Sequence, residues 1–374
     1  MQRRILFKEK EVASRKIMYF EVLRIIAVFL VIFNHTDENG FFLFSKYGTD
    51  TPHFWIYLFL SIFCKCAVFI FFAISGALLL GRETKSLKDL WRKKILRIVI
   101  VLILVSLVYY LIDLAKYKSG FDFGYFMERL YAKTLKYHLW YLYAYIAFLI
   151  SLPFLQSLVK SMKKKHFIYM VGIAVFFGAV IPVLEYLFSK GTVTMNANMR
   201  VSWLISTIVL YPCIGYFLDK YVTVTKKTLL WAWAVNLVGI IISMVMTFIK
   251  GQNTGGQFPI ASSQTFHSTF ALLNCIAIFM MVKYICENRD KVKKKKPKIM
   301  MKKLVLSLGE CTFGIYLVHL IFLKSEMCDN MFRGMATIGI NKIVIAVVVC
   351  LWVLCLSYIV TVVLRKIPVI RRLL

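Results

Sequence analysis

Glu21, Arg24 and His35 stand in the stretch FEVLRIIAVFLVIFNHT, residues 20–36, which is otherwise almost purely apolar. A carboxylate, a guanidinium and an imidazole can together hold an anion, relay a proton or take one from a hydroxyl. Their spacing suits a helix. Glu21 and Arg24 are three residues apart, so they share one face and can neutralise each other. His35 follows Arg24 by eleven residues, about 1100° of rotation, or roughly 20° past three full turns, and about 16 Å along the axis. The three groups therefore line one stripe, with the ion pair at one end and the imidazole at the other, as the wall of an internal cavity would require. The plainer reading puts the ion pair at an interface with its stems snorkelling and has His35 cap the helix in a polar loop with Asn34 and Asp37.

The element that positions this stripe is one of many like it. The chain is 60% hydrophobic and 16% aromatic, with mean hydropathy +0.72, against about 45–50% apolar residues in a soluble protein. A transmembrane helix needs roughly 20 apolar residues, which predicts spans near 17–36, 56–80, 95–115, 138–156, 167–188, 201–218, 228–249, 266–286, 304–323 and 340–364. The expected fold is all-α, one polytopic domain over residues 1–374 with about ten transmembrane helices. At mid-membrane a charged side chain costs about 2.5–3.5 kcal/mol on insertion scales, so such groups face the bundle interior and mark functional paths.

A net charge of +30 would fit a nucleic-acid binder, but the basic residues sit in short blocks between apolar runs. The connections 1–16, 82–97, 157–166, 219–228, 283–303 and 365–374 carry 34 of the 48 Lys and Arg, and the alternate set carries 12. That bias places both termini in the cytoplasm and gives a multi-pass plasma-membrane protein whose partners include lipid but no nucleic acid. The densest block, RDKVKKKKPKIMMKK at 289–303, reads first as an anchor on anionic lipid and second as an attractor of a polyanionic substrate. No cleavage motif follows the first apolar run, so that span is expected to be retained.

Seven of the nine cysteines (Cys64, Cys66, Cys213, Cys275, Cys311, Cys350, Cys355) fall in or beside apolar runs, Cys286 at an inner boundary and Cys328 in an outer loop. They read as packing residues. No CxxC, HExxH or paired Cys/His spacing suggests a metal. No GxSxG elbow supports a serine nucleophile at Ser75 or Ser307, and Gly76 fits close helix approach instead.

Four more stretches accompany the Arg24/His35 pattern: FIFFAISGALLL at 69–80, LWRKKILRIVIV at 90–101, YHLWYLYAYIAFLISLPFL at 137–155 and SLGECTFGIYLVHLIFL at 307–323. Together the five resemble the acyltransferase family 3 membrane proteins over residues 17–364, essentially the whole chain. The resemblance implies a ten-helix core that moves an acyl group, usually acetyl, from cytosolic acetyl-CoA or another acyl-CoA to a hydroxyl of a surface glycan or its lipid-linked precursor. No permanently bound cofactor is implied. Arg24 and His35 match the family's first-span pair, Ser75-Gly76 its SG turn, His138-Leu139-Trp140 its HLW-type motif, and Tyr316 to His319 its YLVH ending. There are departures. Glu21 stands where the family commonly has Asp, and Lys94 replaces the first arginine of an Arg-x-x-Arg, losing a bidentate fork. The end at Leu374 leads us to expect no fused extracytoplasmic domain.

On this reading His35 is the expected base or, alternatively, a nucleophile that carries the acyl group. Arg24 and Glu21 line the channel, and His319 is a further catalytic candidate in the ninth span. Arg92, Lys93, Lys94 and Arg97 are expected to hold the nucleotide end of CoA. His138, Trp140 and Tyr316 are expected to contact substrate. His53, His166 and His267 lack motif context and read as structural. The polar loop 250–267, with Phe258, could meet a glycan acceptor, as could any connecting loop. Two competing readings remain: a transporter of a small anionic solute, weakened by the lack of matched Gly/Pro-broken helices, and a flippase or polymerase of polysaccharide precursors. The oligomeric state is open.

Overall fold

The computed structural model describes residues 2–84, 86–253, 266–292 and 299–374. Among these the chain is all helical, without strands. In lipid a helix satisfies its own backbone groups, and the long apolar runs comply. α1 is Gln2–Asn34, α2 Pro52–Cys64 and α3 Ala67–Leu79; α4 Leu87–Asp89 passes through a π-helical stretch, Leu90–Ile95, into α5 Leu96–Tyr117. α6 is Phe123–Ala132, α7 Trp140–Ser161 and α8 Lys164–Val175, which continues through a second π stretch into α9 Ile181–Ser189. α10 Ser202–Ile205, α11 Thr207–Lys220, α12 Lys226–Asn253 and α13 Ala271–Val292 follow. α14 Ile299–Leu323, α15 Glu326–Thr337, α16 Lys342–Leu364 and α17 Pro368–Leu373 complete the chain.

Eight segments among the described residues are long and apolar enough to cross a membrane: Pro52–Leu79, Leu87–Tyr117, Tyr137–Ser161, Lys164–Ser189, Lys226–Asn253, Ala271–Asn288, Met300–Leu323 and Lys342–Leu364. The expected spans 17–36 and 201–218 are not in this set. The second is interrupted at Ser206, whose extended backbone (ψ 148°) separates α10 from α11. α11 has 14 residues, about 21 Å at 1.5 Å per residue. The first lies on α1, which packs against α3, α13, α14 and α16 and is buried at Leu23, Ala27, Val28, Val31 and Ile32. The helix with the titratable stripe is therefore the centre of the bundle.

Two devices hold the helices around it. α3 and α11 cross closely: a Cβ at Gly76 would strike the Pro212 backbone, and one at Gly215 would strike the Ala73 backbone. Gly76 thus serves helix approach, as its sequence setting suggested. At one end, the Lys283 ammonium of α13 donates to the carbonyls of Leu218 (2.9 Å), Asp219 (3.0 Å) and Val222 (2.8 Å). There the Tyr19 hydroxyl also donates to the Asp219 carboxylate. Lys283 thereby satisfies carbonyls that the end of α11 leaves open.

The segment Pro52–Leu79 is two helices broken at Lys65–Cys66. Asn34 and Asn274 donate to the carbonyls of Cys64 (3.1 Å) and Ile62 (3.3 Å) at the break. All nine cysteines are free thiols. Cys328, expected in a loop, is instead buried on α15, where burial pushes its thiol up to about 11. Most of the loop 250–267 (residues 254–265) and residues 293–298 of the basic block lie outside the described residues.

Candidate active site

A cavity of about 390 Å³ opens at the end of the bundle that carries Lys94 and Arg97. Its mouth is cationic: Lys93, Lys94 and Arg97 line it, and Arg24 reaches it from α1. The π-helical stretch Leu90–Ile95 places Lys93 and Lys94 on this rim, an irregularity frequent at functional sites. Arg97 Nε donates to the Leu373 carbonyl (3.0 Å), and Leu374 also lines the cavity.

Arg24 forms an ion pair with Glu21. The Glu21 side chain is 8% exposed and that of Arg24 26%, so the acid is packed among helices while the guanidinium faces the cavity. Room for Glu21 comes from Gly309 of α14, where any Cβ would meet the Glu21 side chain. Ser75, whose hydroxyl donates to the Phe71 carbonyl (2.9 Å), lies on the wall.

Inward, the cavity ends on tyrosines. Tyr141, Tyr145 and Tyr316 line it. The rings of Tyr141 and Tyr316 meet edge to face at 5.3 Å. Behind them three imidazoles cluster. His35 stacks on His319 with centroids 5.3 Å apart and planes 19° apart. His138 stands 5.3 Å from His319 and 6.2 Å from His35. The Tyr316 hydroxyl donates to the His138 carbonyl, and His319 Nδ1 lies 2.6 Å from the Tyr316 carbonyl. Both ring nitrogens of His138 and Nε2 of His319 are buried without a hydrogen-bond partner. Orphaned buried nitrogens are costly and need an explanation. Among the described residues they gather next to the His35 ring, which packs against both His138 and His319.

A family model for the acyltransferase domain matches residues 17–362, nearly the whole chain. The chain belongs to acyltransferase family 3. No curated protein and no solved structure matches it. The family and the apolar helices make it a multi-pass membrane acyltransferase.

Within this acyltransferase the expected site residues divide into three groups. Glu21, Arg24, Lys93, Lys94, Arg97 and Tyr316 gather in or against the basic cavity. His35, His138 and His319 gather behind it. Arg92 and Trp140 join neither: Arg92 is exposed and does not line the cavity, and Trp140 is 40% exposed on the flank of α7. At 100° per residue, Trp140 is turned about 200° from His138. His53, in the first turn of α2, stacks on Tyr47, and His166 Nδ1 accepts from the Lys163 backbone (3.1 Å). The side chain of His267 lies outside what is described. Gly309, Tyr141 and Tyr145 were not foreseen, although they stand inside the quoted stretches SLGECTFG and HLWYLYAY.

Proposed function

We propose that this protein is an O-acyltransferase that takes an acyl group, acetyl by default, from acyl-CoA in the basic cavity and delivers it to a hydroxyl arriving from the opposite face. The observation that carries the reading is the continuity of cationic mouth, tyrosine wall and histidine cluster along α1. Lys93, Lys94 and Arg97 would hold the phosphates of CoA, and the pantetheine arm would run past Arg24 and Ser75 toward Tyr316. His35 would take the acceptor hydroxyl proton as oxygen attacks the thioester carbonyl. The C–S bond then breaks, and the proton passes to the departing thiolate to give free CoA. His319 and His138 would share that proton while it waits. The ten-span topology, with basic loops and both termini in the cytoplasm of a plasma-membrane protein, belongs to the same proposal. So does a glycan or lipid-linked acceptor.

The test is thermal stability of the protein in nanodiscs with acetyl-CoA, desulfo-CoA and free CoA, for wild type and Arg97→Ala. A ligand at 100 times its dissociation constant stabilises by about 2.7 kcal/mol. A CoA-dependent shift that weakens in Arg97→Ala supports the reading. No shift with any thioester overturns it.

One observation favours a second reading. The break at Lys65–Cys66, where Asn34 holds the Cys64 carbonyl and Asn274 shares the Ile62 carbonyl with the Lys65 amide, is the discontinuous-helix feature of transporter sites. A transporter would bind an anion at Arg24 and Lys65 without consuming thioester, so release of free CoA separates the two.

A further inference from the structure

At the end of the bundle away from Lys94 and Arg97 lies a second cavity, of about 370 Å³. This is within the range of small-molecule sites, roughly 300–1,000 Å³. Its walls include Glu38 and Lys46 from the segment after α1, Asp329, Phe332 and Arg333 from α15, and Lys342 at the start of α16. Glu38 stands three residues beyond His35, and α15 begins three residues beyond the end of α14, the helix that bears His319. The Lys324–Asp37 ion pair clasps the same two segments. Two of the three walls of this cavity thus continue the chain segments that supply the stacked imidazoles, and α16 supplies the third.

The charges are mixed but not self-cancelling. Lys46 pairs with Glu38 at 3.1 Å, and Lys342 rests over the Tyr47 ring at 5.7 Å. Asp329 and Arg333, four residues apart on one face of α15, form no ion pair with each other or with any other described residue. A helix face that places an acid and a base at this spacing ordinarily lets them meet. Here both are exposed on the cavity lining, where such a pair is worth little, so their polar ends stay open to a ligand at little cost. Three cations against two acids leave the cavity positive, and the Arg333 fork matches a carboxylate or phosphate. Asp329, Glu38 and Asn39 can accept from hydroxyls, and Phe332 gives an apolar face to pack on a sugar ring.

We infer that this second cavity is the acceptor site and takes a sugar bearing a phosphate or carboxylate, with Arg333 on the anion and Asp329 on a hydroxyl. This rests on the acyltransferase reading for its role, but the binding itself is independent of the donor. The clustering of Arg333, Asp329 and Phe332 on one turn of α15 also explains why a twelve-residue amphipathic helix is held at this face. Ser325 caps it, accepting from Cys328 N at 3.3 Å, and Cys328 buries itself beneath.

The experiment uses the full chain in phosphatidylcholine nanodiscs and reads the melting temperature with glucose 6-phosphate, glucose and inorganic phosphate, for wild type, Arg333→Ala and Arg333→Lys. The expected result is a rise with glucose 6-phosphate that exceeds those with glucose and phosphate, is reduced in Arg333→Lys and is lost in Arg333→Ala. The acetyl-CoA shift should be the same in all three proteins. No rise with glucose 6-phosphate, or an equal rise in Arg333→Ala, overturns the assignment. An equal rise with bare phosphate overturns the sugar class. Loss of the glucose 6-phosphate effect when phosphatidylglycerol replaces phosphatidylcholine assigns the cavity to a lipid headgroup and overturns it as well. A glucose 6-phosphate response without any acetyl-CoA response leaves the cavity assigned and defeats the acyltransferase donor reading instead.

Discussion

Gly309 of α14 sits so close to Glu21 of α1 that a Cβ at position 309 would collide with the carboxylate and its stem. Glycine here is a packing requirement, since it lets the acid lie between helices and present Arg24 to the cavity. Gly309→Ala is expected to destabilise by about 1–3 kcal/mol through overpacking, exceeding the roughly 0.5–1 kcal/mol that Ala gains over Gly in a helix. Gly172 is the control, because a Cβ there meets nothing within 4 Å, so Gly172→Ala should be neutral or mildly stabilising. Thermal unfolding in nanodiscs checks both. A Gly309→Ala protein as stable as wild type would show that Glu21 has room to spare.

Glu21 and Arg24 should act as one unit. Removing either leaves a partly buried charge without its partner. Glu21→Ala, Arg24→Ala and the double variant, compared by unfolding, should give a coupling of about 0.5–3 kcal/mol, with the double variant more stable than the sum of the two singles implies. Additive losses would mean the pair is a surface contact.

Much of this site was legible because helical periodicity is a one-dimensional property. The spacing of Glu21, Arg24 and His35 needed no partner to be read. The burial of α1 follows the rule that intramembrane charge faces protein. What could not be read was what faces these residues. Gly309 lies 288 positions from Glu21, and nothing local marks it as a contact. Trp140 stands apart for the opposite reason: its motif placed it near His138, yet the two residue steps between their positions turn it to the flank of α7. The break at Ser206 was missed because hydropathy averages over a dihedral change. α15 was missed because twelve half-polar residues read as a loop, although Ser325 before Glu326 is an N-terminal signal.

Donor recognition should separate Arg97 from Arg92. A charge-assisted hydrogen bond is worth about 1.5–3 kcal/mol, and about 1.4 kcal/mol is tenfold. Arg97→Ala should therefore raise KM for acyl-CoA by roughly 10- to 150-fold, while Arg92→Ala, outside the cavity lining, changes it less than about twofold. Steady-state release of CoA measures both. Equal effects would remove the basic cavity as the donor site.

The histidine cluster carries the last prediction. His35→Ala should lower kcat by about 10²- to 10⁴-fold, the usual worth of a general base, and leave the acetyl-CoA thermal shift in place. Tyr316→Phe loses the hydroxyl that donates to the His138 carbonyl but keeps the ring against Tyr141. That bond is worth about 0.5–1.5 kcal/mol, so kcat should fall by roughly 2- to 13-fold. If His35 takes the proton for direct transfer, initial-rate plots for donor and acceptor intersect, and no label from acyl-CoA stays on the quenched protein. Parallel lines with labelled protein would instead make an imidazole of this cluster the acyl carrier, and loss of that label in His35→Ala would name it.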